Sequence, residues 1–489
     1  MHRVAASLLP PVVLEPRGAP LYRQLTDWFR QAILDGRLRA GQRVPSTRGL
    51  AKELGISRIP VLSAYEQLLA EGYLESSVGA GTRIARSLPD EAPHPPKARD
   101  RDSAAASPRR RVSRRVAAAR LPEPMWLKND GAFRVGLPAL EHFPTKTWTR
   151  LITRHARSTS QEAMVYGDAS GQLPLREAIA DYLGTFRGVR CEAAQILVTT
   201  GSQQGLQCAA QALTDSGDKV WLEEPGYPGA RQAFALAGAQ LVPVRVDAEG
   251  LDVAEGMRRA KDARLAYITP SHQFPLGSTL SATRRMALLD WAERGGAWIV
   301  EDDYDSEYRF GGRPLSALQG SDASSRVIYV GSFSKVMFPA LRLGYVVVPR
   351  DLMPAFRVIR DATDTFTATL QQAAMADFIR EGHFARHLRR MRQLYRERYT
   401  ALTEAIREQA ASEFEVLGSD TGMHLAVLLP KDVDDVAFTR RAAMAGVSVR
   451  PLSICYLKPP KRGGLILGYG GATPAQIRAG VRVLKGLLA

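Results

Sequence analysis

Residues 87–120, SLPDEAPHPPKARDRDSAAASPRRRVSRRVAAAR, limit what this chain can fold into more than any other stretch. Pro, Ala, Ser and Arg dominate it, and with almost no large apolar side chain it cannot build a core. It reads as a flexible basic linker. A chain of 489 residues interrupted there folds as separate bodies, a short one over 12–86 and a long one over 121–489. Charge divides in the same way. Residues 1–120 hold 21 Lys and Arg against 11 Asp and Glu, a net of +10, whereas the other 369 residues carry only +6. That concentration of cations points to a polyanionic partner for the N-terminal quarter.

Cys191, Cys208 and Cys455 are far apart and show no CxxC spacing, which argues against a disulfide scaffold and against a zinc site. The opening MHRVAASLLPPVVLEPRG is broken by two prolines and makes a poor signal peptide. No apolar run reaches the roughly 18–20 residues of a membrane span. A soluble cytoplasmic protein is the expectation.

In the short body, LYRQLTDWFRQAILDG sets Leu21, Leu25, Trp28, Phe29 and Ile33 on one helical face, ending at Gly36. A helix over about 46–54, a turn at Gly55 and a second helix over about 57–71 follow, with Ser46 and Ser57 suited to the two N-caps. Pro60 falls in the first turn of the second helix, where its missing N–H is tolerated. YLESSVGAGTRI then reads as a two-stranded wing turned by Gly79 and Gly81. A helix-turn-helix with a wing presents its second helix to the major groove of duplex DNA. Arg43, Thr47, Arg48 and Arg58 can reach phosphates or base edges, with Ser46, Ser57, Ser63 and Tyr65 beside them. GQRVPSTRGLAKELGISR and the following AEGYLES resemble the winged helix of GntR-type bacterial regulators over residues 20–85.

From about residue 125 onward, AQILVTTG, DKVWLEEP, RLAYITP, GGAWIVEDDY, SRVIYVGSF and RLGYVVVP alternate with helical patterns. This predicts a doubly wound, mostly parallel sheet, with a smaller αβ subdomain over about 380–489. Lys335, in YVGSFSKVMFPALRLGYVVVP, is a lone amine on a turn between two apolar runs. A Ser332-x-x-Lys335 nucleophile pair would need SDN and KTG companions, which the chain lacks. A Schiff-base lysine for pyridoxal 5'-phosphate needs four things, and each has a counterpart. Lys335 is the amine. Asp302, with Asp303 in reserve, is a strand-end carboxylate for the pyridine nitrogen, and Tyr304 can bond the ring's 3'-oxygen. Ser202 and Gln203, after Gly201, offer donors at a helix start, with Ser332, Ser334 and Arg342 to complete a phosphate cup. Tyr227 can stack on the ring.

This order resembles class I/II (fold type I) aminotransferases over residues 125–489. VYGDASGQLPLREAIADYL is similar to the segment whose tyrosine, here Tyr166, reaches the phosphate of a neighbouring subunit. The resemblance thus implies a homodimer. Winged helix, linker and aminotransferase-like domain together resemble the MocR/GabR-type regulators. They imply a pyridoxal-phosphate-dependent transcription regulator binding operator DNA, and a small amine or amino-acid effector, or the cofactor itself, as the signal. Two family motifs are altered. TPSHQFPLG puts Phe274 where the Asn-Pro-x-Gly turn has its asparagine, leaving His272 or Gln273 to substitute, with His272 also a candidate effector contact. GGLILGYGG lacks the arginine that clamps a substrate carboxylate, leaving Arg231 or Arg450 as candidates. A sensor fits these departures, and the alternative is a working aminotransferase with an appended DNA-binding module.

Overall fold

The computed structural model describes residues 9–10, 12, 14–15, 18–77, 81–87, 112–118, 131–158, 161–311, 315–418 and 420–488. Most of the 87–120 linker lies outside them, as does the predicted turn residue Gly79; in the described part, Arg114–Ala118 form a short helix where the sequence reads as flexible linker. The chain divides into two compact units, residues 1–110 and 111–489.

The first unit is a helical trio with a wing. α1 (Leu21–Leu34) buries Leu25, Phe29, Ala32 and Ile33, while Leu21 and Trp28 stay half-buried at the edge of that stripe. α2 (Thr47–Leu54) begins where Ser46 accepts the Gly49 N–H at 3.1 Å and stops at left-handed Gly55. α3 (Arg58–Ala70) carries Pro60 as its third residue, inside the first turn. Ser57 holds the N-cap position, but its side chain makes no capping bond there. β1 (Leu74–Ser77) and β2 (Gly81–Ile84) pair antiparallel as the wing. Phe29 packs edge-on to Tyr65 at 5.6 Å, joining α1 to α3.

The second unit is built on an eight-stranded sheet: β3 (Ile196–Thr199), β4 (Lys219–Glu224), β5 (Gln240–Asp247), β6 (Gly250–Leu251), β7 (Leu265–Ile268), β8 (Trp298–Asp303), β9 (Val327–Ser332) and β10 (Gly344–Val347). Their order is β3-β10-β9-β8-β7-β4-β5-β6, with β10 antiparallel to both neighbours and parallel pairing from β9 through β5. All six sequence-predicted strands form. The sequence patterns do not show the two-residue β6, nor β5, whose apolar run is interrupted by Pro243 and Arg245. β5 lies toward the sheet edge and is only partly buried.

A second sheet holds β11 (Glu415–Leu417), β12 (His424–Leu428), β13 (Arg450–Pro451) and β14 (Gly464–Gly468), in the antiparallel order β11-β12-β14-β13. Helices His383–Gln409 and Pro474–Gly486 accompany it. A piece from far upstream joins this subdomain, since Phe133 bridges to Gly468. Among the described residues, no helix is long and apolar enough to cross a membrane.

Candidate functional site

The carboxyl ends of β3, β4, β7, β8 and β9 open on one cavity of about 340 Å³, the edge where open α/β sheets collect ligands. Lys335 sits on the β9–β10 connection and lines it. Its Nζ donates to the Gly136 carbonyl at 3.1 Å. Gly136 has φ +77°, and a Cβ there would collide with that amine, so the glycine leaves the amine its place. Burial lowers the Lys335 pKa, offset in part by Asp305 and Asp302 and reinforced by Arg450.

Asp302 and Asp303 are adjacent on β8, so they face opposite sides of the sheet. Asp303 is spent: Arg187 Nε and the Tyr329 hydroxyl both donate to its Oδ2, at 2.8 and 2.6 Å. Asp302 lines the cavity. Its Oδ2 accepts from the Tyr267 hydroxyl at 2.9 Å, and its Oδ1 is buried without a hydrogen-bond partner. Burial pushes the Asp302 carboxyl up to about 7; the Tyr267 bond and Lys335 oppose the rise and Asp303 adds to it. An unpartnered buried carboxylate oxygen is costly unless something arrives to bond it. A protonated ring nitrogen fits that requirement.

Ser202 and Gln203 open the helix Ser202–Leu213, whose first N–H groups have no partner within the helix. Gly201, at φ +120°, precedes them, and a Cβ there would lie 3.3 Å from the Arg342 guanidinium. Arg342, held in the left-handed region at φ +50°, thus rests beside the helix start. Ser332 and Ser334 line the same wall, with the Ser334 N–H bonded to Ser332 Oγ at 3.1 Å. Donors, fixed charge and a helix N-terminus there suit a phosphate. Tyr227 and Tyr304 also line the cavity, and both meet Phe274 edge-on, at 5.7 and 6.1 Å. Tyr166 is 85% exposed and stands against Phe366, away from this cavity.

The effector candidates separate. Arg450, on β13, lines the cavity from the second sheet. Arg231 does not. Its guanidinium donates to the Tyr456 carbonyl at 3.0 Å and reaches that of Ile454, so it holds a loop rather than a ligand. Gln273 is fully used by Glu223, Pro225, Phe274 and Leu276. His272 is buried behind the cavity wall on Asp305 and is not an effector contact. Sequence reasoning missed Tyr267, Asp305 and His424, all cavity-lining. Tyr267 lies within RLAYITP, a stretch that carries a strand pattern but no sign of site chemistry, and Asp305 directly follows GGAWIVEDDY.

On the winged-helix unit, Arg43, Ser46, Arg48, Ser57 and Arg58 are exposed and Thr47 and Ser63 half-buried. Arg58 Nε donates to Thr47 Oγ1 at 3.2 Å, tying α3 to α2. Tyr65 is a correction. It is 3% exposed, its hydroxyl donates to the Pro45 carbonyl, and it belongs to the core. Ile59, which the sequence does not single out, is 73% exposed at the start of α3. An apolar side chain there suits a thymine methyl.

Bacterial regulatory proteins of the gntR family match residues 21–84, and aminotransferase class I and II matches residues 136–484. The chain is 42% identical over 466 residues to the probable rhizopine catabolism regulatory protein MocR of Rhizobium meliloti, covering 95% of this chain and 93% of that protein. It is 31% identical to the HTH-type pyridoxine biosynthesis transcriptional regulator PdxR of Corynebacterium glutamicum, covering 94% of each. Among solved structures, LysN, the alpha-aminoadipate aminotransferase of Thermus thermophilus, was determined with N-(5'-phosphopyridoxyl)-L-leucine. It is 30% identical at a TM-score of 0.72, over 77% of this chain and 98% of that one.

Proposed function

The chain belongs to the MocR-type transcriptional regulators, in which a gntR-family DNA-binding domain precedes a class I and II aminotransferase domain, and on that premise we propose that it binds pyridoxal 5'-phosphate at Lys335 and senses a small amine carrying an acidic group. The observation that carries this reading is the single cavity shared by the Lys335 amine, the unpartnered Oδ1 of Asp302 and the start of helix Ser202–Leu213.

Pyridoxal phosphate supplies an aldehyde that captures amines and a ring that withdraws electrons when its nitrogen is protonated. Lys335 is the amine of the protein for that aldehyde, and its lowered pKa favours the neutral, nucleophilic form. Asp302 holds the ring nitrogen and its proton. Ser202, Gln203, Ser332, Ser334 and Arg342 take the phosphate, and Tyr227 covers a ring face. Arg450 enters from the second sheet and takes the acidic group of the effector, the task left open by the missing arginine in β14. Tyr166, so exposed in one chain, completes the phosphate site of a second copy in a homodimer. The winged helix binds operator duplex, with Arg43, Arg48 and Arg58 on phosphates or base edges and Ile59 on an apolar base edge. The effector acts by binding two arrangements of the dimer unequally.

The test is the visible absorbance of the purified protein, with the lysine adduct located by borohydride reduction and mass spectrometry. Wild type yields a pyridoxyl group on Lys335 and Lys335→Ala yields none while keeping its circular dichroism; an unlabelled wild type sinks the reading. Titrating amino acids without a keto acid then separates sensor from enzyme. A spectral shift that persists marks a sensor, whereas bleaching to pyridoxamine phosphate marks the aminotransferase alternative. That alternative is supported by the cavity's likeness to aminotransferase sites and by Arg450, which restores a cation to the substrate side.

A further inference from the structure

The turn that gives aminotransferases an asparagine has Phe274 here, and Phe274 presents only a ring to the cavity. The missing donor has a counterpart one layer back. His272 is 3% exposed, and its Nδ1 lies 2.8 Å from Asp305 Oδ1 and 3.1 Å from the Tyr304 hydroxyl oxygen. Asp305 is 1% exposed and accepts the Met423 N–H through its other oxygen at 3.1 Å. A carboxylate can only accept, so Nδ1 must carry the imidazole proton. That proton is shared between Asp305 and Tyr304 Oη. His272 Nε2 is buried without a hydrogen-bond partner, so Nδ1 is the nitrogen through which the ring acts. Tyr304 therefore receives a hydrogen bond from behind, and its own O–H remains uncommitted and lines the cavity. Burial and the nearby Asp305 and Asp302 push the Tyr304 phenol well above its ordinary pKa, so it keeps that proton. Gly422 makes room for this arrangement. A Cβ there would run into both His272 and Asp305.

We propose that His272, locked by Asp305, is a positioning residue that turns the Tyr304 hydroxyl proton toward the 3'-oxygen of the bound cofactor, doing through Tyr304 what the asparagine of the aminotransferase turn does by direct contact. The proposal rests on the cofactor reading above. Its consequence is electrostatic. A hydrogen bond donated to the 3'-oxygen stabilises negative charge there and eases loss of the proton held between that oxygen and the lysine nitrogen. Lys335 also faces Asp302 and Asp305 from the end of β8, Arg450 from β13 and His424 from β12. These stay constant across the variants below.

The experiment is a pH titration of the visible absorbance of the full-length, cofactor-loaded protein. His272→Asn puts an amide N–H where Nδ1 was, and His272→Gln puts it where Nε2 was; both are polar and close in size. The expected result is a midpoint within a few tenths of a pH unit of wild type for H272N. For H272Q the midpoint rises by about one unit, a tenfold change. Tyr304→Phe rises at least as far, and the H272Q/Y304F pair rises no further than Y304F alone. Equal midpoints for H272N and H272Q, or additive shifts in the pair, overturn the proposal. Borohydride labelling of Lys335 in every variant keeps the two readings apart. Labelled variants with no midpoint difference defeat the His272 role alone, while an unlabelled wild type defeats the cofactor reading and this role with it.

Discussion

The two units of the chain place their chemistry on opposite sides of the burial divide. In the winged helix, Arg43, Arg48 and Arg58 stand in solvent, and among the described residues the buried set is apolar apart from Thr26, Tyr65 and Tyr73. In the aminotransferase-like unit, Glu223, Glu301, Asp302, Asp303 and Asp305 are all at most 8% exposed and clustered at strand ends. Exposed cations act on phosphates through a screened field and need no buried partner within the protein. Buried carboxylates each require a named partner, and one without it carries the cost in its pKa. A DNA reader can therefore drift residue by residue, whereas the buried site tolerates change only as a set.

If that contrast holds, pH separates the units most strongly. Asp302 has a folded pKa of about 7, above its unfolded value, so the protonated native state is favoured and stability falls as pH rises from about 4 to 7. The contribution is at most about 4 kcal/mol. Urea melts of the cofactor-free protein at pH 5 and pH 8 should show this loss, Asp302→Asn should reduce it, and bound cofactor should reduce it too. Glu223, Glu301 and Glu307, all pushed to about 7 by burial, add slopes of the same sign, and buried His387 and His424, whose pKa values burial lowers, add slopes of the opposite sign; together these set what remains in the variant. The next effect is on binding. Asp302→Asn should weaken pyridoxal phosphate by about 10- to 100-fold, the worth of a charge-assisted hydrogen bond, with operator affinity of the cofactor-free protein unchanged.

On the exposed side the numbers shrink. Arg58→Gln should lower operator affinity about tenfold and reduce the salt slope by about one, as read by fluorescence anisotropy between low and moderate salt. A change in cofactor affinity in the same variant would break the comparison. Smallest is Ser46→Ala, which removes the α2 cap and should cost about 1 kcal/mol of winged-helix stability, visible as a lower first melting transition.

The sequence made the architecture plain because strand patterns and turns are local. Six of the eight large-sheet strands and all three N-terminal helices follow from spacing alone, and β5 was lost to Pro243. The site was half legible, for a physical reason. Lys335, Asp302, Ser202 and Gln203 announce themselves by lying at strand ends, where loops meet a sheet edge. Whether a polar side chain is free to act depends on what reaches it from elsewhere in the chain. Tyr65 and Pro45 meet across 20 residues, and Arg231 and Tyr456 across 225. No local pattern encodes those meetings, and so Tyr65, Arg231 and Gln273 were all credited with chemistry they do not have. Arg187, which takes Asp303 out of contention, lies 116 residues from it.

The pairing of β3 with β10 has a kinetic consequence. Thr199 and Gly344 pair at one edge of the large sheet although 145 residues (344 minus 199) separate them in the chain. Contacts of such sequence separation form late, after shorter loops have closed. On the proposed cofactor reading, pyridoxal phosphate added to a refolding chain finds no site until the rate-limiting step is over. We expect it to leave the refolding rate unchanged and to slow unfolding, so that the ligand acts as a brake on loss of the native state. Paired refolding and unfolding measurements with and without cofactor would show it, and a faster refolding phase in its presence would rule it out.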